Sequence, residues 1–279
     1  MSFPILDNHI HLRPSGRNVS ALKEFQRAGG THAILVHLPY EEVTIVNETD
    51  FWRSYDITIK MAQRARNEIS VRIEAVVGPY PVLLTSLSEI HSLRRAVEIM
   101  KRGMEIAAEL VKEQKAIGIG EIGRPHFHVS EDIRNASNEI LFYGMQLASD
   151  IGCPVILHTE SATPEIMKEL AEMADKAGLP REKVVKHYCP PLVLPSENHN
   201  IFPSILASRS AIIDALKKGR RFVMETDYLD DTKRPSAVMS IVTVPKRCRS
   251  FLQAGIFTEE DIWVINKENP EKIYGISIE

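Results

Sequence analysis

Apolar residues fall into short, nearly unbroken runs separated by longer amphipathic stretches. The runs are `FPILDNH`, `HAILVHL` (32–38), `VRIEAVVG` (71–78), `KAIGIGEIG` (115–123), `CPVILHTE` (153–160), `EKVVKHY` (182–188), `NIFPSIL` (200–206) and `RFVMETD` (221–227). Each has the length of a strand, and most lack the strict in–out alternation of a half-exposed one, as expected for parallel strands covered on both faces. Between them lie helical periodicities. Val19, Leu22 and Phe25 make one stripe over 19–29, ended by Gly29-Gly30, and further helices are predicted over 54–68, 88–113, 134–150, 163–177, `SAIIDALKKG`, 236–253 and 259–268. Eight strand candidates, each followed by a helix or by a loop long enough to hold one, predict an α/β chain folded as a single (β/α)₈ TIM barrel over 1–279. A doubly wound open sheet is the structural rival, but no GxxxxGK[ST] loop is present, and `GIGEIG` (118–123), although it has GxGxxG spacing, carries an acidic residue at its centre that would repel phosphate.

Composition changes this picture little. The chain has 279 residues, 44% hydrophobic and 25% charged, with a formal charge of −3, which excludes a polybasic nucleic-acid binder but leaves room for an enzyme that holds phosphate with a few arginines and a metal. Cys153, Cys189 and Cys248 follow no metal-knuckle spacing and read as free thiols of a reducing compartment. Asp7 and His9 are reached without a basic region and apolar signal core, and no run approaches a membrane span, so a cytoplasmic enzyme with no membrane partner is expected.

A barrel gathers functional side chains at the C-terminal ends of its strands. His9 and His11 end the first strand, Glu121 the fourth, His158 the fifth, His187 the sixth and Asp227 the eighth. Residues i and i+2 of a strand share a face, so His9 and His11 are aimed together. Singly, each has an ordinary explanation: a hydrogen-bonded histidine near the core, or a helix-capping aspartate. Six potential ligands at five strand ends instead predict a metal site. It is expected to hold two divalent ions, one on His9, His11 and Asp227, the other on His158 and His187, with Glu121 bridging. Imidazole and carboxylate donors suit zinc foremost, then manganese, nickel, cobalt or iron, and suit magnesium less well. With no redox motif present, hydrolysis by a metal-activated water is the simplest use, with Asp227 taking the proton.

The strings `DNHIHL`, `GEIG`, `ILHTE`, `VKHY` and `METD`, together with the closing `NKENPEKIYGI` (266–276), resemble the TatD-type metal-dependent hydrolases of the amidohydrolase superfamily. The resemblance spans the chain and implies a divalent-metal barrel whose relatives include deoxyribonucleases, with the metal residues at His9, His11, Glu121, His158, His187 and Asp227. One departure is plain. The family's Gly-Glu-Ile-Gly-Leu-Asp reads `GEIGRPHFH` here, so Arg124 and Pro125 fill the last two places and His126 and His128 stand just beyond.

Substrate assignment is thereby opened. Arg13, Arg17, Arg124 and Arg209 follow strand ends and are candidates to hold phosphate, Arg124 foremost. Lys186 should face the helical shell, outside the site. Tyr40, Tyr188 and Tyr228 are candidates to stack on bases. His32, His91 and His199 are read as structural. DNA phosphodiester cleavage is the first expectation. A small-molecule hydrolase acting on a phosphate ester, lactone or amide is the second, and a non-catalytic metal-binding barrel the third.

Overall fold

The computed structural model describes residues 3–235 and 237–279. Eight of the expected strands are present as β1 (Leu6–His11), β2 (His32–Val36), β3 (Arg72–Val77), β4 (Gly118–Gly123), β5 (Val155–His158), β6 (Val184–Lys186), β7 (Phe202–Leu206) and β8 (Val223–Glu225), and a two-residue β9 (Tyr228–Leu229) follows. They form one sheet in the order β8-β7-β6-β5-β4-β3-β2-β1-β9, and every neighbouring pair is parallel. The sheet is curled. Only Thr226 and Asp227 separate β8 from β9, which pairs with β1 at the other end of the order. Thr226 also donates its N–H (3.0 Å) and hydroxyl (2.6 Å) to the carboxylate of Asp7 on β1.

Both faces of the sheet are apolar, and for that reason the strands read as continuous runs. Leu6, Ile34, Val36, Val76, Ile156, Val185, Phe202 and Val223 pack together inside the curl. The alternate positions Val155, Leu157 and Val184 pack outward against helices. Those helices are α1 (Val19–Arg27), α2 (Asp50–Glu68), α3 (Leu83–Ile90), α4 (Leu93–Lys112), α5 (Glu131–Ile151), α6 (Pro164–Ala177), the short α7 (Pro195–Asn198), α8 (Arg209–Leu216), α9 (Thr243–Gln253), α10 (Glu259–Trp263) and α11 (Asn269–Tyr274). No described helix is long and apolar enough to cross a membrane.

Local chemistry accounts for where the elements depart from expectation. The single helix predicted over 88–113 is two, because His91 is extended and Ser92 caps α4 by accepting the Arg95 N–H. Ser130 and Thr163 cap α5 and α6 in the same way, and Gly152 and Gly178 end them in left-handed conformations that a Cβ would disfavour. The helix expected over 236–253 begins only at Thr243, and its first expected residue, Ser236, lies outside the described residues. The helix expected over 259–268 passes through a π-helical turn, Val264–Glu268, and runs on into α11.

That closing segment seals the end of the sheet opposite the strand C-termini. Asn266 accepts the Leu6 N–H at 3.1 Å, Asn269 donates to the carbonyls of Arg220 and Phe222, and Tyr274 meets Asn8 at 2.9 Å. Buried backbone groups at strand starts need partners, and these side chains provide them. The other end is left open.

Candidate metal centre

Two irregularities aim the donor residues. The β1–β2 register slips between Asp7 and Ile10, and the β4–β5 register slips between Gly120 and Ile122. Such bulges re-aim the side chains beside them. His9 and His11 lie at the first and Glu121 at the second. His158 ends β5, and His187 follows β6 directly. Asp227 sits between β8 and β9 with φ of 48°, a left-handed value that costs a non-glycine residue about 1 kcal/mol or more and is tolerated where surroundings impose it.

All six predicted donors converge. The carboxylate of Glu121 is the hub: its Oε1 lies 2.9 Å from His9 Nε2, 3.3 Å from His187 Nε2 and 4.0 Å from His11 Nε2, and its Oε2 lies 3.4 Å from His158 Nδ1. His11 Nε2 is 3.1 Å from His9 Nε2 and 3.5 Å from Asp227 Oδ1. The rings of His9 and His187 stack with centroids 3.9 Å apart. Ligand-capable atoms of His9, His11 and Asp227 lie within 4.8 Å of one another, as do those of Glu121, His158 and His187. The two triads adjoin.

The cluster is buried, and its charges are mutually dependent. Burial would raise the Glu121 carboxyl, but the surrounding imidazoles of His158, His187 and His9 hold it well below the usual carboxylate range. Asp227 is likewise lowered, against burial, by His11 and its neighbours. Burial pulls His187 down to about 4 and lowers His9. His11 goes the other way: the carboxylates of Asp227 and Glu121 overcome burial and raise it to about 9. The two carboxylates are thereby held ionised, while burial disfavours the charged forms of His9 and His187.

An inner layer orients the donors, and motif reading missed it. Glu225 is fully buried, accepts from the Ser204 hydroxyl and from Tyr188 N (2.8 Å), and lies 2.9 Å from His187 Nδ1. Burial raises its carboxyl to about 7. It stands two residues before Asp227 on the same run, the spacing that singled out His9 and His11, so the signal was present in `METD`. The His11 ring is fixed by the Val36 carbonyl at 2.9 Å from its Nδ1. His37, just past β2, is buried with Nδ1 2.9 Å from Thr58 Oγ1 and Nε2 3.3 Å from Ser54 Oγ. Tyr80 packs edge-on to His158, with centroids 5.0 Å apart.

The residues expected to hold substrate are placed differently. Arg124 is buried with its guanidinium between Glu160 (3.0 Å) and Glu169 (3.1 Å), and Arg134 reaches the same two carboxylates. Sequence order hid this, because α6 brings Glu169 beside a residue forty-five positions earlier. Arg209 begins α8 with its guanidinium 5.3 Å from the Phe251 ring, and Arg17 pairs with Glu24. Arg13 does line the mouth, 3.6 Å from Glu41. His126 stands at the rim with Nδ1 2.9 Å from His158 Nε2, whereas His128 lines a separate surface cavity with Phe127. Of the three tyrosines, Tyr40 and Tyr228 are buried and bonded to Thr58 and Asp230, and Tyr188 alone is exposed. His32 and His91 bond to Thr31 and the Val46 carbonyl, away from the mouth.

Lys186 is a correction in detail. Its neighbours Val184 and Val185 divide between outer and inner packing, so parity does start Lys186 on the shell side. The side chain is long, however, and the strand ends there. Its amine donates to the His187 carbonyl at 2.6 Å, and the residue lines a mouth cavity of about 280 Å³ with His126, His158, Thr159, Ser161, His187, Tyr188 and Asp227. A neighbouring cavity of about 320 Å³ is lined by His11, Arg13, Tyr80, Glu121 and Asp227.

Comparison with known proteins gives this arrangement a context. A protein of Methanocaldococcus jannaschii, described as uncharacterized, is 43% identical over 281 residues, which cover 100% of this chain and 98% of that protein. A solved TatD-like protein of Archaeoglobus fulgidus has a TM-score of 0.61 at 16% identity, covering 97% of this chain and all of its own. A phosphotriesterase homology protein of Escherichia coli, solved with phosphate in its active site, has a TM-score of 0.64 at 13% identity, covering 98% of each chain. At those identities the solved structures bear on the fold alone. A family model described as TatD related DNase matches residues 6–275, and on that match the chain belongs to the TatD family of metal-dependent hydrolases.

Proposed function

We propose that the curled sheet is a (β/α)₈ barrel whose mouth holds two divalent metal ions, zinc foremost, and that the enzyme hydrolyses phosphodiester bonds, with DNA the first substrate class to test. One observation carries the metal reading. Glu121 Oε1 is buried and makes no hydrogen bond among the described residues, although three imidazole nitrogens lie within 4.0 Å of it. Buried carboxylate oxygens are otherwise bonded. Nitrogen lone pairs converging on such an oxygen suit a cation between them. The donor set of four imidazoles and two carboxylates fits a borderline divalent ion.

Metal ions on these residues would supply an acidified water and positive charge beside the developing oxyanion. The chain supplies the rest. Asp227 lines both mouth cavities and is the carboxylate able to take the proton of the attacking water on its Oδ1 or Oδ2. As the new P–O bond forms, the bond to the departing alkoxide breaks. Glu225 and the Val36 carbonyl hold the His187 and His11 rings so that the donors keep their aim. The three buried, free thiols suit a reducing cytoplasm.

A second reading, a small phosphate ester, lactone or amide as substrate, is favoured by one observation. Arg124 and Arg134 are neutralised by Glu160 and Glu169, which leaves little free positive charge on that wall to track a nucleic-acid backbone. The test is metal content of protein purified without added metal, followed by a screen of single-stranded DNA, bis(p-nitrophenyl) phosphate, lactones and amides. Near-stoichiometric metal with metal-dependent DNA cleavage supports the first reading. Activity confined to a small ester replaces the substrate, and absence of metal even after reconstitution overturns the site.

A further inference from the structure

The cations around the mouth are not equivalent. Arg13 has Glu41 within 3.6 Å, and Arg124 and Arg134 share Glu160 and Glu169. Lys186 is 1% exposed, and among the described residues no carboxylate oxygen lies within 4.0 Å of its amine, so it enters no ion pair there. Among the described residues its one hydrogen bond is to the His187 carbonyl, at 2.6 Å, although an ammonium has three to give. Burial disfavours the charged form of Lys186, and the carboxylates of Glu225, Glu121 and Glu160 oppose this from beyond ion-pair distance; an anion in the adjoining cavity would stabilise the ammonium directly.

The cavity it lines is shaped for one group rather than for a polymer. Its volume is about 280 Å³, and Thr159, Ser161 and Tyr188 line it with Lys186; the Thr159 hydroxyl donates to the Glu160 carbonyl at 3.2 Å, a contact an anion would have to compete with. Thr159 and Ser161 follow β5, and Lys186 ends β6, so adjacent parallel strands present them together. His126, His158, His187 and Asp227 form the remaining wall, so a phosphoryl oxygen held by Lys186 belongs to a group that lies beside the proposed metal donors.

We infer that Lys186, with Thr159 and Ser161, forms an anion subsite that holds a non-reacting oxygen of a phosphoryl group, and that this subsite makes the enzyme selective for phosphorylated over neutral esters. The inference rests on the hydrolase reading above for its place in the reaction, but the binding itself does not. A charge-assisted hydrogen bond from a buried ammonium to a phosphoryl oxygen is of the stronger kind. Lys186 is thus a specificity residue, and Arg124, first to be suspected from sequence, is a structural one.

The test uses the metal-replete enzyme, inorganic phosphate as the probe in titration calorimetry, and the variants Lys186→Met and Lys186→Arg with metal content measured on each. The expected result is a rise in the phosphate Kd of about tenfold or more in Lys186→Met, with most of it restored by Lys186→Arg. With bis(p-nitrophenyl) phosphate, Lys186→Met should raise KM by a similar factor, while KM for neutral p-nitrophenyl acetate stays put. Equal phosphate affinity in wild type and Lys186→Met overturns the subsite and leaves the hydrolase reading untouched. Absence of hydrolysis by wild type, with the phosphate effect intact, overturns the reaction and keeps the subsite. If neither Lys186 variant folds with its metal, Thr159→Val and Ser161→Ala read the same cavity, and unchanged phosphate binding in both also overturns the proposal.

Discussion

Replacing His37 by glutamine should change how stability depends on pH. The His37 ring is 1% exposed, and its nitrogens lie at hydrogen-bonding distance from the Thr58 and Ser54 hydroxyls, so it is held neutral. Burial pushes it down from 6.5 to about 3, with the neighbouring His11 adding to the effect. The unfolded chain takes up a proton at this residue as pH falls through 6.5, whereas the folded chain does so only near 3. Below the unfolded value the unfolded state therefore binds more protons, and stability falls as pH falls. Above it the contribution is fully present. At about pH 5 the unfolded state gains about 2 kcal/mol from this one group, and the whole gap approaches about 5 kcal/mol. Urea unfolding of wild type and His37→Gln, followed by circular dichroism at about pH 7.5 and about pH 5, isolates the effect as a difference of differences, since other titrating groups are common to both. Wild type should lose about 2 kcal/mol more than the variant between the two conditions. A loss equal in the two proteins would refute the reasoning, and would mean that the ring is accessible to a proton in the folded state.

Asp227→Asn should lower kcat by about 10²-fold or more with little change in KM, because it removes the proton acceptor and keeps the side-chain shape; stopped assays at saturating substrate check it, and an unchanged kcat moves the base elsewhere. Glu121→Gln removes the charge on which four imidazoles converge, so metal content measured by mass spectrometry after exhaustive dialysis should fall substantially below that of wild type. Gly123→Ala places a Cβ 2.1 Å from the His158 carbonyl oxygen at a φ of 144°, and a destabilisation of about 2 kcal/mol or more is expected, read as a lowered thermal midpoint. A thermal midpoint equal to that of wild type would show that β4 and β5 separate freely at this point.

The strand–helix rhythm was legible because each strand of this sheet is buried on both faces, which writes itself into sequence as short apolar runs. The six donors were legible for the same reason: a charged residue at the end of such a run has few places to be but the mouth. Helix ends depended on single capping side chains, and Ser92 split α3 from α4 where the apolar periodicity ran straight on.

By itself, then, the sequence determined the parallel α/β architecture, the strand ends and the set of titratable groups gathered there, all of which follow from local periodicity and from which residues a core refuses. Only the tertiary structure decided what each cation meets. Arg124 is claimed by Glu160 and by Glu169 from α6, Arg209 lies against Phe251, and Lys186, which strand parity assigns to the shell side, lines a mouth cavity. Charges find partners through space, across elements that the chain separates by dozens of residues, and a one-dimensional pattern carries no record of that distance.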